Sequence, residues 1–210
     1  MIQWIVFDVM GVIFGDGDDV KNLLIPFIHQ RKPEANAEFL HATYRLASLG
    51  LISSFEFWKR AGLEEEYPAV ETKYLDTCLK MNPQFLEVAG PLGSRFRLAI
   101  LSNDVKEWSA YVRRKFGLDR LFQVAVISGE VGVRKPAAEI YRILLDRLQA
   151  KAEDCIFIDD RLPNLLISKT LGIIPVWLAK ENPPPDPEIP QRIQNLSELP
   201  DLIENNFSNT

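Results

Sequence analysis

Cysteine is scarce in this 210-residue sequence, with two in all. Cys78 and Cys155 lie far apart and fit neither the spacing of a zinc pair nor that of a redox dithiol, which sets aside a disulfide scaffold and points to a reducing compartment. Histidine is equally scarce. His29 and His41 fall in a stretch of helical periodicity with no matching acid or metal ligand nearby in sequence, so they read as solvated or packed side chains. Positive charge is not in excess either: 24 lysines and arginines face 29 acidic residues, for a formal net charge of -5. Such a chain has no overall field to hold a nucleic-acid backbone or an anionic membrane surface, and neither is expected as a partner. No basic segment precedes the first apolar run, and no run approaches the ~20 apolar residues of a membrane span, so a cytoplasmic location is expected. Internal repeats are missing, and the one biased tract is the proline cluster at residues 183–190. What is present is globular in character: 47% hydrophobic and 25% charged residues suffice to bury a core and exclude disorder as the main state.

The apolar residues form short, nearly continuous runs. The first, in MIQWIVFDVMGVIF at residues 1–14, is broken by Asp8 alone, and others occupy residues 97–102, 123–127, 155–160 and 174–178. Runs of this length without alternation mark strands buried on both faces. Residues 105–116 and 137–148 carry helical spacing, so the second half alternates strand and helix, which predicts an α/β fold with a parallel sheet and helices on its faces. From residue 16 to 85 the pattern changes. Apolar side chains recur there at spacings of three and four (Leu23, Leu24, Phe27, Ile28; Phe39, Leu40, Tyr44; Phe55, Trp58), with no strand-like run. An all-helical insert after the first strand is expected to dock over the carboxyl edge of the sheet, where open α/β sheets bind ligands. The prolines at 183–190 predict a stiff extended connector, and Ile193, Leu196, Leu199 and Leu202 a short helix or turn packed on the core.

Polar residues gather where the apolar runs end. Asp8 ends the first, Ser102, Asn103 and Asp104 end the second, and Asp159 and Asp160 end a later one. Parallel neighbours would bring these ends to one crevice, and carboxylates grouped beside a hydroxyl suit Mg²⁺, which takes oxygen ligands and keeps positions for water and phosphate. Two adjacent carboxylates such as Asp159 and Asp160 repel each other unless a cation compensates. Lys135, just before Pro136 and a helical stretch, could supply positive charge for an anionic substrate.

In order and spacing, FDVMGVIF, ILSND, VRKPAAEIY and FIDDRLPN resemble the four signature motifs of the haloacid dehalogenase-like hydrolases, and the first is also similar to the phosphatase domain of soluble epoxide hydrolases. The resemblance covers the whole chain, with the helical insert at the position of the family's C1 cap. It implies a three-layer Rossmann-like core of residues 1–15 and 86–210 and a cap of residues 16–85. It also implies a Mg²⁺-dependent phosphatase acting on a small phosphorylated metabolite, as a monomer or homodimer. Carried over by residue, it makes Asp8 the nucleophile that forms a covalent aspartyl intermediate. Ser102 would hydrogen-bond the phosphoryl group with Asn103 beside it, and Lys135 would neutralise the charge that develops. Asp160, helped by Asp159, would hold Mg²⁺ with Asp8 and the backbone carbonyl of Met10, and Asn164 would support them from behind.

At Met10 the resemblance fails. Most phosphatases of the family carry a second aspartate there, which protonates the leaving group and then activates water. A thioether cannot transfer a proton, and such acid-base help is worth about 10²–10⁴-fold. The carbonyl that a metal would use is unaffected. Three readings are open: a phosphatase that works without this acid, best on acidic leaving groups such as sugar 1-phosphates or acyl phosphates; a dehalogenase-like enzyme that displaces halide without metal; and a non-catalytic relative that binds a phosphorylated ligand or a protein. The dehalogenases usually carry tyrosine at this place and do not need the paired aspartates in this form. GDGDD at residues 15–19 offers Asp16, Asp18 and Asp19 as substitute acids, although its plainer reading is a solvated turn with Asp18 or Asp19 capping the next helix. Phe39, Tyr44, Phe55, Phe57 and Trp58 read mainly as cap core, and Arg45 as a cap residue that could read the substrate.

Overall fold

The apolar runs become parallel strands. In the computed structural model, which describes residues 1–180 and 183–207, they are β1 (Trp4–Phe7), β2 (Arg97–Ser102), β3 (Val124–Ile127), β4 (Cys155–Asp159), β5 (Ile174–Leu178) and β6 (Arg192–Ile193). All pair in parallel in the order β3-β2-β1-β4-β5-β6. β1 therefore lies between the two strands that end in polar residues, and Phe7 stands opposite both Ile100 and Ile158. The backbone N–H of Asp8 continues the ladder to the carbonyl of Ile158 at 2.9 Å. β6 escaped the sequence reading because two residues are too few to carry a pattern.

Between β1 and β2 lie α1 (Ile25–His29), which continues a wider π-type turn at Val20–Leu24, then α2 (Ala37–Ala47), α3 (Ser54–Arg60), α4 (Ala69–Thr77) and α5 (Pro83–Arg95). Their starts have local causes. Asn36, Ser53 and Asn82 accept hydrogen bonds from the backbone N–H groups of Phe39, Glu56 and Gln84, and Pro83 brings a preset φ to the first helical position of α5. The second half adds α6 (Lys106–Lys115), α7 (Ser128–Val131), α8 (Ala138–Leu148), α9 (Leu162–Thr170) and α10 (Leu199–Phe207). Residues 183–190 form no helix or strand, as their prolines imply, and Glu188 pairs with Lys169 at 2.6 Å. None of the described helices is long and apolar enough to cross a membrane.

Alternation along β1 sends Trp4 and Val6 to one face of the sheet and Ile5 and Phe7 to the other. Trp4 and Val6 pack with Ile140, Tyr141, Leu144 and Leu165 of α8 and α9. Ile5 and Phe7 join a cluster with Phe85, Val112 and Ile203 that runs without a break into Phe27, Phe57, Trp58 and Tyr74. Both faces are covered, which is the three-layer arrangement expected. Each large apolar side chain so buried contributes about 1.5–3 kcal/mol. α5 begins within residues 16–85 but packs on β2 and α10. Tyr44, Phe57 and Trp58 are buried as expected, whereas Phe39 and Phe55 are 51% and 44% exposed, so these two are not cap core. Glu71 ties α4 to α3 and α6 by accepting hydrogen bonds from the indole N–H of Trp58 at 2.9 Å and of Trp108 at 2.8 Å.

Candidate active site

The strand ends do converge. Asp8 leaves β1, Ser102 ends β2, Asp159 ends β4, and all three are buried. Lys135 reaches them from the loop before α8, its ammonium Nζ 2.7 Å from Asp8 Oδ1 and 2.8 Å from Asp159 Oδ2. Asn103 fixes this lysine by two backbone contacts: its Oδ1 accepts from Lys135 N–H at 2.8 Å and its Nδ2 donates to the Lys135 carbonyl at 3.0 Å. Both halves of the amide are thereby occupied. The peptide bond between Lys135 and Pro136 is cis.

The three aspartates differ in how they are satisfied. Besides Lys135, Asp159 accepts from Arg161 N–H at 2.8 Å and from Asn164 Nδ2 at 3.1 and 2.9 Å, so both of its oxygens are engaged. Asn164 thus orients Asp159 and also lines the cavity. Asp8 accepts from the N–H of Val9 at 2.7 Å. Asp160 Oδ1 is shielded from solvent with no hydrogen-bond partner. Oxygens of Asp8, Asp159 and Asp160 lie within 4.8 Å of one another. Burial above all raises Asp8 from 3.8 to about 8; Lys135 opposes this, while Asp159 and Asp160 add to it. Burial and Asp159 likewise raise Asp160 to about 6. Lys135 faces two of these acids and stays protonated, its pKa raised by them against the effect of burial. One cation among three acids cannot balance all of them when ionised, and without a further cation the cluster holds protons instead.

The fit to a metal can be read from the packing. A Cβ built on Gly11 or on Gly17 would fall 2.1 Å from Asp160 Oδ2, so both glycines make room for this carboxylate, and Gly11 has a φ of +85° that few other residues adopt. A buried, unpartnered oxygen in a cluster of carboxylates is a donor set for a hard divalent cation.

A cavity of about 620 Å³ opens over the cluster. The sheet side of its wall includes Asp8, Met10, Ser102, Asn103 and Lys135; Asp19, His41, Tyr44 and Arg45 close it from the helical insert. The Ser102 hydroxyl has no hydrogen-bond partner among the described residues. α2 is joined to the sheet loops by the Tyr44 hydroxyl, which donates to the Asn103 carbonyl at 3.2 Å, and by a contact between Arg134 and Ser48.

The sequence pattern of the haloacid dehalogenase-like hydrolases matches residues 2–172. The chain belongs to that family. Glyceraldehyde 3-phosphate phosphatase of Methanocaldococcus jannaschii is 30% identical to this hydrolase over 105 residues, which are 48% of this chain and 45% of that one, so the match spans less than half of the relative. Among solved structures, a HAD phosphatase from Thermococcus onnurineus has a TM-score of 0.76 at 20% identity over 96% of this chain and 98% of its own. The HAD family enzyme bt-2542 from Bacteroides thetaiotaomicron, in complex with magnesium and inorganic phosphate, has a TM-score of 0.66 at 18% identity over 84% and 94%. These two share its fold.

In this HAD-like hydrolase Asp8, Met10, Ser102, Asn103, Lys135 and Asn164 line the cavity, whereas Asp159 is buried behind it and Asp160 lines a neighbouring cavity with Trp177 and Lys180. Arg134 and Arg161 also line the cavity and were not picked out, although each is the immediate neighbour of a motif residue. His41 lines it too, which helical spacing could not show, since that spacing does not say where the helix docks. The acidic turn differs from its plainer reading. Asp18 is exposed, while Asp19 is buried and its side chain caps no N–H of the following turn.

Proposed function

We propose that this hydrolase removes the phosphoryl group from a small phosphate monoester, with Mg²⁺, through an aspartyl-phosphate on Asp8. The observation that carries the reading is the Lys135 ammonium held between Asp8 and Asp159 beside the unpartnered Asp160 oxygen. A nucleophile, a cation for the phosphoryl oxygens and ligands for a hard metal are thereby grouped at one point. Asp8 and Asp160 would hold Mg²⁺ with the Met10 carbonyl, helped by Asp159, whose oxygens are already engaged by Lys135, Arg161 and Asn164. When bound, the ion neutralises charge on the attacking and phosphoryl oxygens.

Asp8 attacks phosphorus from within the crevice. The Ser102 hydroxyl donates to a phosphoryl oxygen, and the Lys135 ammonium balances charge on that group and on Asp8. Asn103 keeps the lysine in place through its backbone. The helical insert excludes water from this step and selects the substrate, with Arg45 and Arg134 adding positive charge to the cavity wall. The relatives named as phosphatases, and the HAD family enzyme solved with magnesium and inorganic phosphate, support the reading. The spare carboxylate oxygen favours phosphoryl transfer over a metal-free displacement at carbon, which has no use for it.

Phosphate release from a panel of small esters, including sugar 1-phosphates and nucleotides, with and without Mg²⁺, tests this. Release should require Mg²⁺ and vanish in Asp8→Asn, with the circular dichroism of the variant unchanged. Turnover that survives Asp8→Asn, or no release from any ester by folded protein, refutes it.

A further inference from the structure

Met10 leaves the crevice without the proton donor that a poor leaving group needs, so the other acids of the cavity wall matter. Asp16 is committed to its own turn, accepting from Asp18 N–H at 2.9 Å and from Asn22 Nδ2 at 3.0 Å. Asp18 is exposed. Asp19 is different: it is 7% exposed, lines the cavity shared with Asp8, Met10 and Ser102, and caps nothing. Among the described residues no basic side chain forms an ion pair with it, and no other residue hydrogen-bonds its carboxyl. A carboxyl kept from water, without a structural partner, at the wall of a reaction cavity has no packing role to explain it.

We propose that Asp19 is the general acid and base of this enzyme, in place of the aspartate missing at position 10. The proposal rests on the phosphoryl-transfer reading above. In the first step an Asp8 oxygen forms a bond to phosphorus as the bond from phosphorus to the ester oxygen breaks; that oxygen takes the proton of the Asp19 carboxyl and departs as the alcohol. In the second, the Asp19 carboxylate takes a proton from water as the water oxygen bonds to phosphorus and the bond to Asp8 breaks. Inorganic phosphate leaves, Asp8 is a carboxylate again, and Asp19 is protonated again. One water is consumed for each ester.

The surroundings suit both halves of this cycle. Burial chiefly raises the Asp19 carboxyl from 3.8 to about 7, with Arg161 pulling it down and Asp18 and Asp16 pushing it up. Across from it stand Tyr44, Tyr74, Asp104 and Arg134. An acid that titrates near neutrality can give its proton in one step and accept one in the next.

A general acid makes the rate less dependent on the acidity of the departing alcohol. The test compares p-nitrophenyl phosphate, with an acidic leaving group, and a primary alkyl phosphate, using holoenzyme with Mg²⁺. The readout is kcat/KM, which reports only the steps through departure of the alcohol. Asp19→Asn should lower kcat/KM on the alkyl ester by about 10²-fold or more, with a loss on the p-nitrophenyl ester smaller by at least about tenfold. Asp16→Asn should match wild type on both. Equal losses on the two esters, or no loss on the alkyl ester, overturn the proposal. If Asp19→Asn does not fold, the wild-type enzyme decides: a shallow dependence of kcat/KM on alcohol pKa across a series of esters supports it, and a steep one overturns it. Failure of the phosphatase reading looks different, since no ester would then show release that depends on Asp8, and both proposals would fall together.

Discussion

Asp160 is confined between two glycines with one oxygen left over, and that confinement predicts how the site should fail. Gly17→Ala puts a methyl where Asp160 Oδ2 now lies, so the carboxylate must turn away from the cluster. Mg²⁺ affinity, read by calorimetry, should fall about 10–100-fold, as when other residues that orient metal ligands are replaced. Gly11→Ala should do the same and also lose about 1–2 kcal/mol of stability from its backbone conformation. Unchanged Mg²⁺ binding in both variants would remove Asp160 from the metal site. At this scale the motif residues were legible in the sequence because chemistry fixes their types: an acid at a strand end, a lysine before proline, paired aspartates after IFI. The task of the Asn103 amide was not legible, because its partner is a backbone 32 residues away. Nor was the burial of Asp19, because GDGDD has the composition of a solvated turn.

The helices of residues 20–77 are held to the sheet by a few specific contacts as well as by apolar packing. Glu71 is the clearest, one carboxylate serving the indoles of Trp58 on α3 and Trp108 on α6, both fully buried rings. Glu71→Ala leaves two buried N–H donors without acceptors, each costing about 1–3 kcal/mol. Its urea midpoint, followed by tryptophan fluorescence, should drop clearly, and Glu71→Gln, which keeps one acceptor, should drop less. A midpoint within error of wild type for Glu71→Ala would show that these indoles find another acceptor. The strands that form the sheet were readable as uninterrupted apolar runs, whereas the docking of α2 was not. Spacing marks which face of a helix is apolar, as with Leu40 and Tyr44, but the residues beside that face, such as Arg45 and His41, reach the cavity only through the angle of docking.

Over the whole molecule, the buried acids should govern how stability varies with pH. Asp8, Asp19, Asp104 and Asp160 have pKa values raised from 3.8 to about 8, 7, 8 and 6, chiefly by burial. Between these values and 3.8 the folded chain binds more protons than the unfolded one, so their contribution is complete below pH 3.8 and is lost as pH rises towards 8. Asp76 and Glu188, held low by Lys115 and Lys169, act in the opposite sense, but in a window at and below the ordinary carboxylate range. With metal chelated, the urea midpoint should therefore fall from pH 5 to pH 8, and Asp104→Asn should flatten the fall. A midpoint that rises over that range would show these carboxyls to be ionised throughout.

The central place of β1 has a consequence for how the protein is made. β1 is the first strand in the chain, yet its neighbours β2 and β4 end only at Ser102 and Asp159. At the usual rate of about 5–20 residues per second, WIVF spends many seconds outside the ribosome before both flanking strands exist. For that time an apolar segment with unpaired backbone groups on both edges has to be shielded, by the helices that follow it or by a chaperone. A nascent chain stopped short of β4 already carries Asp8 but neither Asp159 nor Asp160, so the carboxylate cluster cannot assemble until that strand is made.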